Sequence, residues 1–117
     1  MYVREAGDDW LKISRMQAYS MSVFEKALWI VDYDSYMPFK YDHFRKRFRQ
    51  KGSHKAKAIQ AGPNGRAIIK DWDRRVVGWH YGEWKALRGA RREVVSVASG
   101  RGGRLYWVDY NSYKVYG

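Results

Sequence analysis

The sequence contains no cysteine, only two prolines and no apolar run long enough to span a membrane as a helix. Without cysteine, the chain has neither a disulfide framework nor a thiolate metal site. Its first ten residues, MYVREAGDDW, lack the apolar region of a secretory signal peptide. These absences predict a cytoplasmic protein with no membrane partner.

Acidic residues are scarce in the last two-thirds of the chain. Residues 1–39 carry four Lys or Arg against six Asp or Glu, whereas residues 40–117 carry nineteen against six. The length suits one domain, and an apolar content of 45% is far from that of a disordered chain. We therefore expect a single domain over 1–117, with a neutral-to-acidic helical part at 1–39 and a strongly basic, mostly β part at 40–117.

The most basic segment is Lys40–Lys57, in which eight Lys or Arg accompany a single acidic residue, Asp42. So one-sided a run repels itself unless an anion lies nearby, and the commonest such anion is a nucleic-acid backbone. Asp42 can cap a short helix from His43 to about Lys51. In that helix Phe44 and Phe48 would share a face, and the cations would project outward.

The N-terminal part favours a helix. Apolar residues between positions 14 and 31 recur every three or four residues, which predicts a helix over about 14–31 with its apolar face on a sheet. A competing interpretation makes Leu28–Tyr33, LWIVDY, a strand, because β-branched and aromatic residues fill it.

One segment resembles another within the chain. Leu28–Phe39 and Leu105–Tyr116 match at six of twelve aligned positions. A duplicated strand–turn–strand unit would explain the match. Because the flanking residues do not continue it, we favour chance similarity.

Short segments rich in Val, Ile, Trp and Tyr fill the chain after Lys55. Lys55–Gln60 and Arg66–Trp72 flank a Pro-Asn-Gly turn signal, and further segments lie at 75–81, 84–88, 92–98, 104–109 and 113–116. This spacing is typical of an antiparallel β-meander or small barrel. The predicted fold class is α+β, with the N-terminal helix and the short basic helix packed on that meander or barrel.

Cations interleaved with rings predict nucleic-acid binding, to DNA or RNA, with low sequence specificity. Arg and Lys would contact phosphates, while the rings of Trp79, Tyr81 and Trp84 would stack on bases. The predicted phosphate contacts are Arg45, Lys46, Arg47, Arg49, Lys51, Lys55, Lys57, Arg74, Arg75, Arg101 and Arg104. No cofactor is expected.

Two other functions remain open. A small basic domain could bind an acidic or nucleic-acid-processing protein, as inhibitors and adaptors from phages and other mobile elements do. Alternatively, Asp73, Glu83 and Lys85 match the loose D-x(n)-E-x-K spacing of metal-dependent nucleases, in which carboxylates bind a metal that activates water. Because this motif is short and Asp71 fits it equally well, we expect a binding protein rather than an enzyme.

Overall fold

The computed structural model describes residues 2–4, 10–86, 94–99, 104–109 and 111–117. These residues are almost entirely strands and turns, and the only helical element among them is a short 3-10 turn at Pro63–Gly65. None of them builds a helix that could span a membrane. The strands are β1 (Tyr2–Arg4), β2 (Trp10–Lys12), β3 (Ala18–Phe24), β4 (Ala27–Asp32), β5 (Pro38–Asp42), β6 (Arg47–Gln50), β7 (Ala56–Ala61), β8 (Ala67–Asp71), β9 (Val76–His80), β10 (Glu83–Ala86), β11 (Val94–Ser99), β12 (Leu105–Asp109) and β13 (Val115–Tyr116).

Two four-stranded antiparallel meanders form the centre of the described structure. One has the order β3-β4-β5-β6 and the other β7-β8-β9-β10, while β1-β2 and β11-β12-β13 form two smaller sheets. Because each meander reverses direction at every turn, its turns alternate between two ends. We call the end with the turns after β3, β5, β7 and β9 the first end. The second end carries the turns after β4 and β8 and the start of β7, where the Ala56 N–H donates to the Tyr36 carbonyl.

The core between the two meanders is built around three indole rings. Trp29 is fully buried, and its ring lies 6.3 Å from that of Trp79 and 5.9 Å from that of Trp84, centroid to centroid. Trp79 and Trp84 lie 5.0 Å apart and pack against the buried cluster. Fully burying one large apolar side chain contributes about 1.5–3 kcal/mol. The remaining buried members of the cluster are Val31, Ala56, Ile59, Ala61, Ala67, Ile69 and Val77.

Two serine hydroxyls join the meanders along one edge. The backbone N–H of Ile59 on β7 donates to Ser20 Oγ at 3.3 Å, and that of Ala61 donates to Ser22 Oγ at 2.8 Å. No backbone ladder links β3 to β7. Side chains of β3 therefore satisfy N–H groups on the edge of β7, which would otherwise lose their hydrogen bonds on burial.

The predicted helix over 14–31 is wrong, and β3 and β4 occupy this segment, so the competing strand interpretation of Leu28–Tyr33 is correct. The error arises because β3 reverses the usual pattern. Its partly buried alternate residues include Ser20 and Ser22, while Met21 and Val23 are each 56% exposed. Hydrophobicity therefore does not mark the inward face of this strand, and the apolar residues that remain imitate a helical period.

The predicted basic helix is also wrong. Residues 38–50 form the β5–β6 hairpin, in which Tyr41 is opposite Phe48 and Phe44 lies in the turn, 94% exposed. Asp42 Oδ1 accepts the backbone N–H groups of Phe44 and Arg45, both at 3.0 Å. A helix N-cap makes the same bonds, but Lys46 has φ +53° and turns the chain back. The α+β fold class is thus overturned, because the described residues are nearly all β.

The strands predicted after Lys55 are confirmed. β7 pairs with β8 across the predicted turn, where Asn64 and Gly65 have φ of +57° and +71°. β9 to β13 each overlap a predicted segment. The sequence pattern succeeds here because β8 alternates buried and less buried residues with a period of two, and β7 does so from Ile59 to Ala61.

The two similar segments form the same hairpin turn. In the first, Asp32 Oδ2 accepts the Ser35 N–H at 2.9 Å and the Ser35 hydroxyl at 2.7 Å. In the second, Asp109 Oδ2 accepts the same two groups of Ser112 at 3.0 and 2.9 Å. The residues that follow, Tyr36 and Tyr113, have φ of +60° and +57°. The matched Asp and Ser residues therefore specify the same local turn in both segments.

Candidate functional site

The predicted phosphate-contacting residues separate into two groups in the structure. One group lies on the β5–β6 hairpin and just after it, and the other lies on or beside β7 and the β8–β9 turn. Arg104 is exposed beside β12, whereas Arg101 lies outside the described residues. The first group comprises Arg45, Lys46, Arg47, Arg49 and Lys51, and the second comprises Lys55, Lys57, Arg74 and Arg75.

Two members of the first group, Arg49 and Lys51, line a cavity of about 520 Å³ at the first end. The cavity lies between the β3–β4 turn, β5, the residues 49–51 and the β7–β8 turn, and we call it the basic cavity. Lys26, Lys40, Arg49 and Lys51 line it, together with the carboxylates of Glu25 and Asp42. Four cations therefore converge on one cavity, although they come from three segments: the β3–β4 turn, β5 and the residues 49–51.

The carboxylate of Asp42 is already engaged by its own hairpin. The backbone N–H of Arg45 lowers the pKa of Asp42 below its ordinary value, with further contributions from the N–H of Phe44 and the charges of Arg45 and Arg49, although desolvation opposes the shift. Arg45 and Arg49 lie 3.6 and 4.0 Å from Asp42 Oδ2. Asp42 thus acts mainly as a structural anion of the β5–β6 turn.

Three lysines of the basic cavity have no acidic partner. Among the described residues, no carboxylate oxygen lies within 4.0 Å of the ammonium group of Lys26, Lys40 or Lys51. Lys40 and Lys51 are half-buried. Lys40 Nζ lies 5.6 Å from the centroid of the buried Trp29 ring, within the range of a cation–π contact.

Four rings meet at the second end, and we call Tyr19, Tyr33, Tyr36 and Trp72 the aromatic patch. The ring centroids of Tyr19 and Tyr36 are 5.3 Å apart, those of Tyr36 and Trp72 are 4.8 Å apart, and those of Tyr19 and Tyr33 are 6.2 Å apart. Tyr19, Tyr33 and Trp72 are 45%, 53% and 43% exposed. The patch therefore offers a contiguous aromatic surface to solvent.

Two aspartates hold the turns that carry these rings. Asp32 binds both the N–H and the hydroxyl of Ser35 within the β4–β5 turn. The buried Asp71 accepts the N–H groups of Asp73 and Arg75 at 2.9 and 2.8 Å, and His54 Nε2 lies 3.0 Å from its other oxygen. Because these bonds fix both turns, the rings are positioned before any ligand arrives.

Cations adjoin the aromatic patch on β7 and β8. Lys57 Nζ lies 4.5 Å from the Trp72 ring centroid. Partial burial lowers the pKa of Lys70 below its ordinary value, and the neighbouring charges of Lys57 and Arg74 lower it further. The charges of Lys57 and Arg74 therefore lie close enough to Lys70 to disfavour its protonated form.

The rings predicted to stack on bases have different environments. Trp79 and Trp84 belong to the core, and Trp84 Nε1 donates to the Lys51 carbonyl at 2.7 Å. Only Tyr81 is open to solvent, at 89% exposure, in the β9–β10 turn. The four rings of the aromatic patch were not among the predicted site residues. For two of them a sequence signal was available, because Tyr33 and Trp72 directly follow the turn aspartates Asp32 and Asp71.

The residues of the proposed nuclease motif are not brought together. Asp73 lies in the turn before β9, whereas Glu83 begins β10 after the next turn, so the five residues of β9 separate them by roughly 15 Å or more. Lys85 Nζ instead pairs with Glu83 Oε1 at 3.0 Å on an exposed surface. No group of three metal-ligating side chains is found within the described ranges.

Comparison with known proteins adds no relative to this picture. No protein-family model matches the chain, and no curated protein has a significantly similar sequence.

Proposed function

We propose that this chain is a small nucleic-acid-binding protein of low sequence specificity, which acts in the cytoplasm by stacking bases on the aromatic patch and contacting phosphates with the adjacent cations. One observation carries the proposal: three rings of the patch are about half exposed, and Lys57 Nζ lies 4.5 Å from one of them, that of Trp72. The rings suit the bases of a nucleic acid, and the cations suit its phosphates.

The rings account for the base contacts. Single exposed apolar residues are ordinary on protein surfaces, whereas a contiguous exposed group indicates a binding surface. Each base stacked on an aromatic side chain contributes about 1–3 kcal/mol, and any of the four bases can stack. Since the faces of paired bases are covered by their neighbours in a duplex, this mode favours unpaired nucleotides.

The cations account for the phosphate contacts. Lys57, Lys70 and Arg74 lie on adjacent strands and a turn, so their side chains approach one another from different parts of the chain. A phosphate placed beside Lys57 and Lys70 would favour their charged forms. Such contacts do not depend on base identity, and this supports low specificity for either DNA or RNA.

Trp72→Ala tests this function most specifically. The probe is a fluorescently labelled oligonucleotide of about 12 unpaired nucleotides, a length within the range that one small domain covers. We expect the dissociation constant to rise by about fivefold or more, because one stacking contact of ~1–3 kcal/mol is lost.

The matched control is Phe44→Ala. Phe44 is 94% exposed and lies outside the aromatic patch. Its substitution is expected to change the dissociation constant by no more than about twofold. A circular dichroism melt of both variants checks that they remain folded. Equal affinity of the Trp72 variant and the native chain would contradict stacking at the patch.

A second candidate function is binding to a protein partner, such as an acidic or nucleic-acid-processing protein that the chain inhibits or recruits. The observation in its favour is an apolar stripe along β3, where Tyr19, Met21 and Val23 are 45–56% exposed on one face. If this function is the true one, nucleic-acid binding will disappear at physiological salt. Substitution of Met21 or Val23 will then weaken binding to the protein partner.

A further inference from the structure

We propose that the basic cavity binds a terminal phosphate, the monoester group at the end of a nucleic-acid strand or on a single nucleotide. The inference rests on the proposed function for its choice of ligand class. Its structural basis is separate, because the cavity lies at the first end and the aromatic patch at the second.

The positive charges of the basic cavity favour the binding of an anion. Lys40 is half-buried and holds its ammonium group near the Trp29 ring, with no carboxylate oxygen of the described residues within 4.0 Å. Removing a cation from water without a counter-ion is costly. Lys26 and Lys51 face the same space and also lack an acidic partner in the described structure. A bound anion would therefore compensate three lysines at once.

The balance of charge favours a phosphate monoester over a diester. The four cations of the cavity outnumber its two carboxylates by two. A monoester carries a charge of about −1.5 to −2 near neutral pH, whereas each diester of a strand carries one negative charge. Asp42 does not offset this preference fully, since Arg45 and Arg49 already lie beside it.

The shape of the site also favours the end of a strand. The volume of about 520 Å³ is within the range of small-molecule pockets. Gly65 forms part of the wall, where an added Cβ would lie 3.4 Å from Lys40 Nζ, in van der Waals contact. The β7–β8 turn thus lies directly beside the ammonium group.

Ring surfaces for the attached nucleoside lie next to the cavity. A second cavity of about 240 Å³ shares Asn64 and Gly65 with the first and is lined by His80 and Tyr81. The rings of these two residues are 4.2 Å apart, centroid to centroid. A phosphate held by Lys40 would therefore leave its nucleoside close to an exposed aromatic side chain.

The test compares three labelled single strands of identical sequence that carry a 5′-phosphate, a 3′-phosphate or hydroxyls at both ends. We expect one phosphorylated strand to bind the native chain about tenfold tighter than the hydroxyl-ended strand, as charge-assisted hydrogen bonds would provide. Lys40→Gln and Lys51→Gln should abolish this preference. Lys114→Gln removes the same charge from an exposed position outside the cavity and should preserve the ratio.

The outcomes separate this inference from the proposed function. Equal binding of all three strands, still weakened by Trp72→Ala, would overturn the phosphate site and leave the proposed function standing. Conversely, no binding of any strand, together with Lys40-dependent binding of a nucleoside monophosphate, would overturn the proposed function and retain the site. Competition by inorganic phosphate as effective as that by the nucleoside monophosphate would overturn the nucleotide assignment.

Discussion

Gly52→Ala should destabilise the protein far more than Gly82→Ala, although both glycines have a left-handed backbone. Their φ values are +70° and +81°, and an alanine there costs about 1–2 kcal/mol in either case. At Gly52 the new Cβ would lie 2.7 Å from Trp84 Cδ1 and 2.9 Å from its Nε1. At Gly82 no atom of the described residues lies within 4 Å of the added Cβ.

The additional cost at Gly52 follows from these contacts. Overpacking a close-fitting site costs about 1–3 kcal/mol. Displacement of Trp84 would also weaken the hydrogen bond from its Nε1 to the Lys51 carbonyl, which contributes roughly 0.5–1.5 kcal/mol. We therefore expect a total of about 2.5–6.5 kcal/mol for Gly52→Ala against ~1–2 kcal/mol for Gly82→Ala.

The assay is urea denaturation followed by tryptophan fluorescence, which reports on the three-indole core. Equal losses of stability in the two variants would refute the packing of Trp84 on residues 51 and 52. The result also bears on the basic cavity, because Trp84 fixes the backbone of Lys51, one of its cations.

Two further predictions concern the hydrogen bonds that join the sheets and close a turn. Ser22→Ala removes the acceptor of the Ala61 N–H, so we expect a loss of about 1–3 kcal/mol in urea denaturation, whereas Ser53→Ala at an exposed position should change stability by less than about 0.5 kcal/mol. Comparable effects of the two would contradict the Ser22 contact. The pKa of Asp42 is lowered in the folded protein, so its ionised form adds stability that is present above the unfolded value of 3.8 and is lost as pH falls through the folded value. Asp42→Asn should therefore reduce the acid dependence of the urea midpoint below about pH 4, and an unchanged pH profile would show that the carboxylate contributes nothing.

The local sequence pattern predicted the strands after Lys55 because the turn signals and the alternation of apolar residues indicate the same strands there. The Pro-Asn-Gly signal marks a real turn with Asn64 and Gly65 at positive φ, and β8 alternates fully buried with partly buried residues. Neighbouring strands pair in sequence order, so each turn signal also specified a pair of strands. Agreement between local propensity and the final sheet made this part predictable.

The two helices predicted in the first half of the chain are wrong because tertiary contacts decide the local structure there. Ser20 and Ser22 lie on the partly buried face of β3 only because β7 presents N–H groups to them, about forty residues away in sequence. Asp42 supplies the hydrogen bonds of a helix cap to a hairpin turn instead. Neither partner choice can be read from local periodicity.

The residue types of the candidate site could be predicted from the sequence, but most of its particular rings could not. Cations and rings were recognised as the relevant residue types, and Arg49, Lys51 and Lys57 were named. The indoles of Trp79 and Trp84 instead pack in the core, and turns distant in sequence bring Tyr36 and Trp72 to 4.8 Å. Which rings lie together depends on which turns share an end of the two meanders, and the sequence pattern does not give this arrangement.

The most direct test of the central claim is a salt titration of binding by the native chain to a labelled single strand and to the matching duplex. We predict micromolar or tighter binding to the single strand at physiological salt, weaker binding to the duplex, and a logarithmic slope near −0.7 for each phosphate neutralised. Binding that disappears at physiological salt for both probes would contradict nucleic-acid recognition and favour the protein partner.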